Sequence, residues 1–428
     1  MEVACAGLWL ALANLGRSSK AEGHRSIREK GQIMRTTKMA RFNNTTGLSL
    51  GLVVAVIGTA SGATADEGIT KGTPIAPSIP SKTRVVNIGL TDATSIAAKK
   101  GWFVEELAKY NAKPNMVLVT SFGGSGIEAA LLDRGDLHIT QRMAYPALQH
   151  RVNGLDAVVI WQGVNPHPRR ATTIVLADSN IKSVADLKGK TFGSSLIGCP
   201  YYASLEALRD QGVNVDTELQ EGDTRFINIT GAASTSALLA GRFEASGIHP
   251  ATSTTASLYI QHQVKELATA VPDGVYVTAG GRAEYFAMRK WAIENPDLVK
   301  AFLVVWDRTV RWLAADNGAH LSEAATIASR ELRLSKAVAL YDLKDESTIS
   351  WSFGVTSYQE AVDSIKKFQS YQIKVRDPFY TKNHLSDKEI EAFVDRRFFA
   401  GGEYFVDTSP KPKRTAEATL NGNSLAER

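Results

Sequence analysis

Between Thr83 and Phe399, short apolar runs alternate with helical patterns. Val85 to Leu90 reads as a strand and Ser95 to Tyr110 as one helix. Met116 to Thr120 reads as a strand, Ile127 to Leu132 as a short helix, and Leu137 to Thr140 and Ala157 to Trp161 as further strands. Thr173 to Leu176 continues the series, with a short helix at Val184 to Leu187 behind a Ser183 cap. A second, smaller set comes next. Lys190 to Gly193, Phe226 to Ile229 and Phe243 to Ile248 read as strands; Tyr201 to Gln211, Ala232 to Ala240 and Ala256 to Gln263 read as helices. This alternation predicts α/β architecture with largely parallel sheets. The chain then turns helical. Asn295-Pro296 marks a helix start, and Leu298, Phe302, Val305, Trp306, Val310 and Leu313 share one face of that helix. Ser386-x-x-Glu389 forms a capping box before Ile390, Phe393 and Val394. Helical periodicity accounts for the aromatics on these faces as core.

The apolar run at Met116 leads into Gly124-x-Gly126-x-x-Ala129, one form of the dinucleotide fingerprint. The next strand runs into Gln141-Arg142 rather than a ribose-binding acid, and a strand and a helix already precede the turn. A lone fingerprint in that setting is a weak argument for an NADP enzyme.

Composition changes the picture at the termini. The formal charge of +5 is local: residues 1–65 hold eight Lys/Arg against three Asp/Glu, so the remainder is balanced and nothing calls for nucleic-acid binding. Arg35, Lys38 and Arg41 flank an apolar run from Leu48 to Ile57, and Ala63-Thr64-Ala65 offers a small-x-small cleavage site. Residues 1–65 are therefore expected to be a signal peptide, with Met34 or Met39 a more ordinary start, and the mature chain is expected in a periplasm. The residue directly after the cleavage site is Asp66 rather than a cysteine, which argues against a lipid anchor. Cys199 is the only cysteine of that mature chain, so no internal disulfide is possible. Residues 66–81 read as a flexible lead-in and 408–428 as a disordered tail.

Four segments carry a resemblance. "SNIKSVADLKGKTFG" (Ser179 to Gly193), "ALLAGRFEASGIHP" (Ala237 to Pro250) and "EYFAMRKWAIENPDLVKAFL" (Glu284 to Leu303) occur in this order, with "GDLHIT" (Gly135 to Thr140) ahead of them. Together they resemble the periplasmic binding proteins for nitrate, aliphatic sulfonates and taurine that feed ABC importers. The resemblance implies a two-lobed type II periplasmic binding fold, each lobe a mostly parallel sheet flanked by helices, with a two-strand hinge. It places lobe 1 at 82–173 plus 279–407 and lobe 2 at 174–278. It further implies a monomeric, non-enzymatic receptor without a cofactor. The receptor takes a small anion, sulfonate-like, into the cleft between the lobes and presents it to membrane permease subunits.

The residues themselves say how an oxyanion can be held. Helix N-termini offer unpaired N–H groups, first-turn hydroxyls add donors, and glycine admits close approach. Candidates of that character are Thr91, Asp92 and Thr94 after the first strand, Gly124, Ser125 and Gly126 after the second, and Ser194, Ser195 and Thr230 in the second set. Arg142, in a loop from Gln141 to Tyr145, offers a bidentate guanidinium or is simply a surface arginine at a strand end. Tyr145 and Tyr201 line a ligand or pack in the core. His249 stands in Ile248-His249-Pro250 where the family often has a Trp-acid-Pro element, which leans against a ligand amine and leaves Asp92 as the possible replacement acid. Arg169-Arg170 reads as a solvated loop pair. A sulfinate-cleaving enzyme on the same fold is the alternative, but its cysteine after the first strand is absent: Thr91 lies there, and Cys199 lies elsewhere. Metal and serine-hydrolase motifs are lacking.

Overall fold

A computed structural model describes residues 82–119, 127–164, 172–196, 199–217, 221–229, 231–248, 253–269, 282–344 and 354–408. These fall in one compact unit, Pro74–Arg428; the other unit, Met1–Thr73, lies outside the described residues. The expected signal peptide, the lead-in up to Ser81 and the tail beyond Thr408 are outside them as well.

The first stretch gives β1 (Arg84–Gly89), α1 (Asp92–Lys99), α2 (Trp102–Ala108), β2 (Ala112–Val117), α3 (Ile127–Asp133), β3 (Ile139–Met143), α4 (Ala144–Val152) and β4 (Ala157–Val164). The second gives β5 (Thr172–Leu176), a 3-10 turn (Val184–Leu187), β6 (Thr191–Ser194), α5 (Cys199–Asp210), β7 (Val215–Asp216), β8 (Thr224–Asn228), α6 (Gly231–Leu239), β9 (Ala245–Ile248), α7 (Ser253–Ile260) and β10 (Val264–Thr269). The return gives β11 (Arg282–Met288), α8 (Arg289–Glu294), α9 (Pro296–Ala314), α10 (Leu321–Glu331), α11 (Lys336–Lys344), β12 (Gly354–Val355), α12 (Tyr358–Lys374) and α13 (Asp387–Phe393).

The strands form two six-stranded sheets, in the orders β12-β4-β11-β3-β1-β2 and β10-β5-β9-β6-β8-β7. In the first, β1 runs parallel to β2 and β3, while β11 runs antiparallel to its neighbours β3 and β4. In the second, β6 runs parallel to β8 and β9, while β5 runs antiparallel to β9 and β10. The reversed strand inside each sheet, β11 or β5, is the one that begins at a chain crossing. Val164 at the end of β4 pairs with Arg282 at the start of β11, and Thr172 at the start of β5 pairs with Ile248 and Thr269. Both crossings therefore join the carboxyl end of one sheet's parallel strands to the carboxyl end of the other's. The crossing segments, 165–171 and 270–281, lie outside the described residues.

Three local expectations are corrected. The helix read over Ser95 to Tyr110 is two helices, because Gly101 (φ +76) turns the chain between α1 and α2. The strand read at Met116 to Thr120 is β2 at Ala112–Val117; it is an edge strand, where Pro114 is tolerated. Gln141 to Tyr145 is not a loop: β3 extends through Met143 because β11 pairs with it from Ile139 to Met143, and α4 starts at Ala144.

The periodic face of α9 is the centre of the core. Leu298, Phe302, Val305, Trp306, Val310 and Leu313 are all buried, as the spacing predicts. Tyr285 of β11 packs on Phe302 and Trp306 at 4.9 Å each, and Trp161 of β4 packs on Trp306 at 5.4 Å. By strand alternation, Glu284 and Gln162 point to the opposite face, towards α4. A smaller core (Ile174, Leu238, Phe243, Ile248, Leu258, Val264) lies between the second sheet and α6 and α7. It leaves no room at Gly193, where an added Cβ would meet the Phe243 ring at 2.6 Å. Phe243 is 2% exposed, so Gly193→Ala is expected to cost about 1–3 kcal/mol in denaturant unfolding.

Two contacts tie the helices of one sheet to those of the other. Tyr202 in the first turn of α5 accepts a hydrogen bond from Gln149 Nε2 of α4 at 2.8 Å and packs on Phe368 of α12 at 5.2 Å. On another side α11 packs against both α10 and α7, with Tyr341 stacked on Tyr259 at 6.4 Å.

Candidate functional site

The joined carboxyl ends are the candidate site. On the first sheet, β1 ends at Gly89 and the chain enters α1 through Thr91. The Thr91 hydroxyl accepts the Thr94 N–H (3.1 Å); the Thr94 hydroxyl accepts the Thr91 N–H (2.7 Å) and donates to the Gly89 carbonyl (2.8 Å). These two hydroxyls form a reciprocal cap, buried at 3% and 1% exposure. Asp92 follows at the first helical position. Burial pushes its carboxyl up to about 6, against the pull of its own N–H and that of Ala93. Its Oδ2 is shut off from solvent and has no partner among the described residues.

Arg142 near the end of β3 is mostly covered, its side chain 10% exposed, and faces an acid that the sequence pattern did not single out. Its guanidinium pairs with Glu128 in the first turn of α3, and Glu128 Oε1 also lies 2.8 Å from His150 Nε2 of α4. Burial raises the Glu128 carboxyl, but the bonds from His150 and Arg142 outweigh it and hold the group at about 2. Directly across from Arg142 on β11 stands Glu284, 0% exposed, whose other cross-strand neighbour, Gln162, donates to its Oε1 at 2.7 Å. Thr356, just after β12, donates to the Gln162 carbonyl at 3.1 Å. A row of polar side chains thus crosses three adjacent strands at the level of the Thr91 cap. The signal was available: Glu128 sits in "IEAALL" and Glu284 in "EYFAM", each a lone acid in an apolar segment.

On the second sheet, Ser194 at the end of β6 is 1% exposed and its hydroxyl lies 3.4 Å from the Gly247 carbonyl; Ser195 is 7% exposed. Asn228 at the end of β8 accepts the Leu196 N–H at 3.1 Å and fixes the chain after β6. Tyr201 packs on Phe226 and Tyr202, its hydroxyl is 3.4 Å from that of Thr217, and burial pushes it up to about 12. Tyr145 lies in the first turn of α4. Gly124, Ser125, Gly126, Thr230 and His249 lie outside the described residues, as do Arg169 and Arg170. Two large apolar residues at the same carboxyl ends are exposed, Ile127 (46%) on the first sheet and Leu196 (38%) on the second. Among the described residues there is no cluster of His, Cys, Asp and Glu arranged to hold a metal ion, and no helix long and apolar enough to cross a membrane.

A family described as "NMT1/THI5 like" matches residues 93–318, more than half of the sequence. The chain belongs to that family. Solved structures agree on the fold. The alkanesulfonate-binding protein SsuA from Xanthomonas axonopodis pv. citri, bound to MOPS, superposes with a TM-score of 0.58 at 17% identity, over 74% of this chain and 99% of that one. The periplasmic aliphatic sulphonate binding protein SsuA from Escherichia coli gives 0.53 at 17% identity, over 68% and 93%. A Candida albicans protein described as having the generic periplasmic binding protein fold gives 0.51 at 16% identity, over 73% and 96%. No curated protein matches the sequence. The kinship read from the four sequence segments therefore holds at the level of family and fold. Ligands of open α/β sheets bind at strand carboxyl ends; the polar row and the capped start of α1 lie at those ends of the first sheet, and Ser194 lies at the end of β6 in the second.

Proposed function

We propose that this family member is the periplasmic solute-capturing component of an ABC importer, that it is not an enzyme, and that its ligand is a small organic anion of the sulfonate type. The observation that carries the reading is that two open α/β sheets are connected through the carboxyl ends of their parallel strands, the place where this architecture takes its ligands. The exposed Ile127 and Leu196 at those ends favour a ligand with an apolar part over a bare inorganic oxyanion. The X. axonopodis neighbour, whose structure holds MOPS, supports the same chemical class. Anion contacts are assigned to Ser194 and Ser195, to Thr230, to Gly124, Ser125 and Gly126, and to Arg142, with Tyr145 and His249 as further candidates. Closure over the ligand would present a single compact shape to permease subunits in the inner membrane.

Thermal-shift screening of alkanesulfonates, nitrate and short carboxylates tests this reading. At a ligand concentration of about 100 Kd, binding adds about 2.7 kcal/mol, so a clear upward shift is expected with a sulfonate. No shift with any anion, together with stabilisation by NADP, would contradict it.

A further inference from the structure

A depression lies at the opposite end of the first sheet from the candidate site. β4 runs from Ala157, paired with Met288 at the end of β11, to Val164 beside the crossing. It is 8 residues long, so its two ends are roughly 23 Å apart. At the Ala157 end, α8, the start of α12 and the end of α13 border a cavity of about 320 Å³, lined by Arg289, Ile293, Tyr358, Ala392, Val394 and Arg396 among others. That volume is at the lower end of small-molecule sites. Part of the wall is apolar. Ile293 stands one turn from Arg289 on α8 and is 56% exposed. The Tyr358 ring is fixed by its hydroxyl, which donates to the Glu391 carbonyl at 3.1 Å. Both acids of the lining already have a base: Glu391 takes Lys366 at 2.8 Å and Asp395 takes Arg397 at 2.7 Å. Asp395 also caps the 3-10 turn Arg396–Phe398 by accepting the Arg397 N–H at 3.2 Å, so it serves Arg397 rather than the neighbouring arginine. Arg289 is spent on Asp156 and on the Ala392 carbonyl, at 2.9 Å each. Arg396 is left over. It is exposed, its guanidinium lies 5.5 Å from the centre of the Tyr358 ring, and no acid pairs with it among the described residues.

We propose that this depression is a second binding site, for a small carboxylate with a flat apolar body. Arg396 receives the carboxylate, and Ile293, Tyr358 and Val394 cover the body. A guanidinium set over an aromatic ring keeps its in-plane N–H donors free, and their fork matches the two oxygens of a carboxylate. A bare oxyanion would leave the apolar wall wet, and an uncharged ring would leave the guanidinium without its anion. The Tyr358 ring is held in place before a ligand arrives, so little ordering is required there on binding. The site lies at the other end of the sheet from the one proposed for the importer ligand, and it stands or falls independently of that reading.

Calorimetric titration of the full chain with benzoate tests the assignment, with acetate as a probe that lacks the body and benzyl alcohol as one that lacks the charge. Benzoate is expected to bind at least about tenfold tighter than either, the size of one charge-assisted contact, and to do so equally in the presence of saturating ethanesulfonate. Arg396→Ala should weaken benzoate at least about tenfold while the response to ethanesulfonate stays within about twofold. It should unfold at the wild-type temperature, as expected of an exposed side chain without an ion pair. Arg396→Lys keeps the charge but loses the fork, and should fall between wild type and Arg396→Ala. Ile293→Ser should weaken benzoate and leave ethanesulfonate unchanged. Benzoate affinity that is the same in Arg396→Ala, displacement of benzoate by ethanesulfonate, or no benzoate binding at millimolar concentration overturns the second site and leaves the importer reading standing. Benzoate binding that depends on Arg396, with no response to ethanesulfonate or any other anion elsewhere, supports the second site and counts against the importer reading.

Discussion

Arg142→Ala is expected to lower the unfolding free energy by about 3–5 kcal/mol, because it leaves Glu128 ionised and buried beside His150 without its guanidinium. An ordinary surface arginine would change stability by about 0.5 kcal/mol or less, so denaturant unfolding separates the two roles cleanly. Replacing both partners with apolar residues, as in E128L/R142M, should recover most of the loss, since removing the pair also removes the cost of burying it. Ligand affinity should not recover in that double variant if the guanidinium also touches the anion. The pH dependence has a definite sign. Glu128 titrates at about 2 in the folded protein against an ordinary 4.5, so its contribution is complete above the ordinary value and disappears as pH falls from 4.5 towards 2. Glu128→Gln should flatten that part of the stability curve. An unchanged curve in Glu128→Gln, together with a neutral Arg142→Ala, would show that the pair is not formed in solution.

Tyr202→Ala is the second large effect. The side chain is 3% exposed and fills the space between Gln149, Phe368 and Tyr380, so truncation should cost about 3–5 kcal/mol. Tyr202→Phe keeps the ring and loses only the hydrogen bond to Gln149, which should cost about 1 kcal/mol. Because this residue joins a helix of the second sheet to two helices of the first, the truncation should also loosen their coupling. Scanning calorimetry is expected to show one transition for the wild type and two overlapping ones for Tyr202→Ala. A single transition at the wild-type temperature would mean that the two bodies are held together elsewhere, with the α7–α11 contact the remaining candidate.

Much of the fold was legible because it rests on local rules. The spacing of Leu298, Phe302, Trp306 and Val310 predicted a buried helix face, and Ser386 with Glu389 predicted a cap; both are present. The elements whose bounds differ depend on long-range pairing. The strand at β2 is placed by its register with β1 rather than by the run Met116 to Val119, and β3 extends through Arg142 because β11 comes back to pair with it from far along the chain. The site departs from expectation for the same reason. Thr91 and Thr94 looked like free donors, but each lies three residues from the other's backbone across a helix start and they cap it together. Arg142 looked like an unopposed cation because Glu128 and Glu284 meet it only in three dimensions. A lone acid in an apolar segment is a readable sign that a partner exists; it does not say which partner.

The central claim is that this protein captures a small organic anion and releases it unaltered. Equilibrium titration of the full chain with taurine and ethanesulfonate, followed by mass analysis of the ligand recovered after denaturation, tests it most directly. The expected result is saturable binding of one ligand per chain and quantitative recovery of the intact molecule. No saturable binding of either compound, or recovery of sulfite with a desulfonated product, would contradict it.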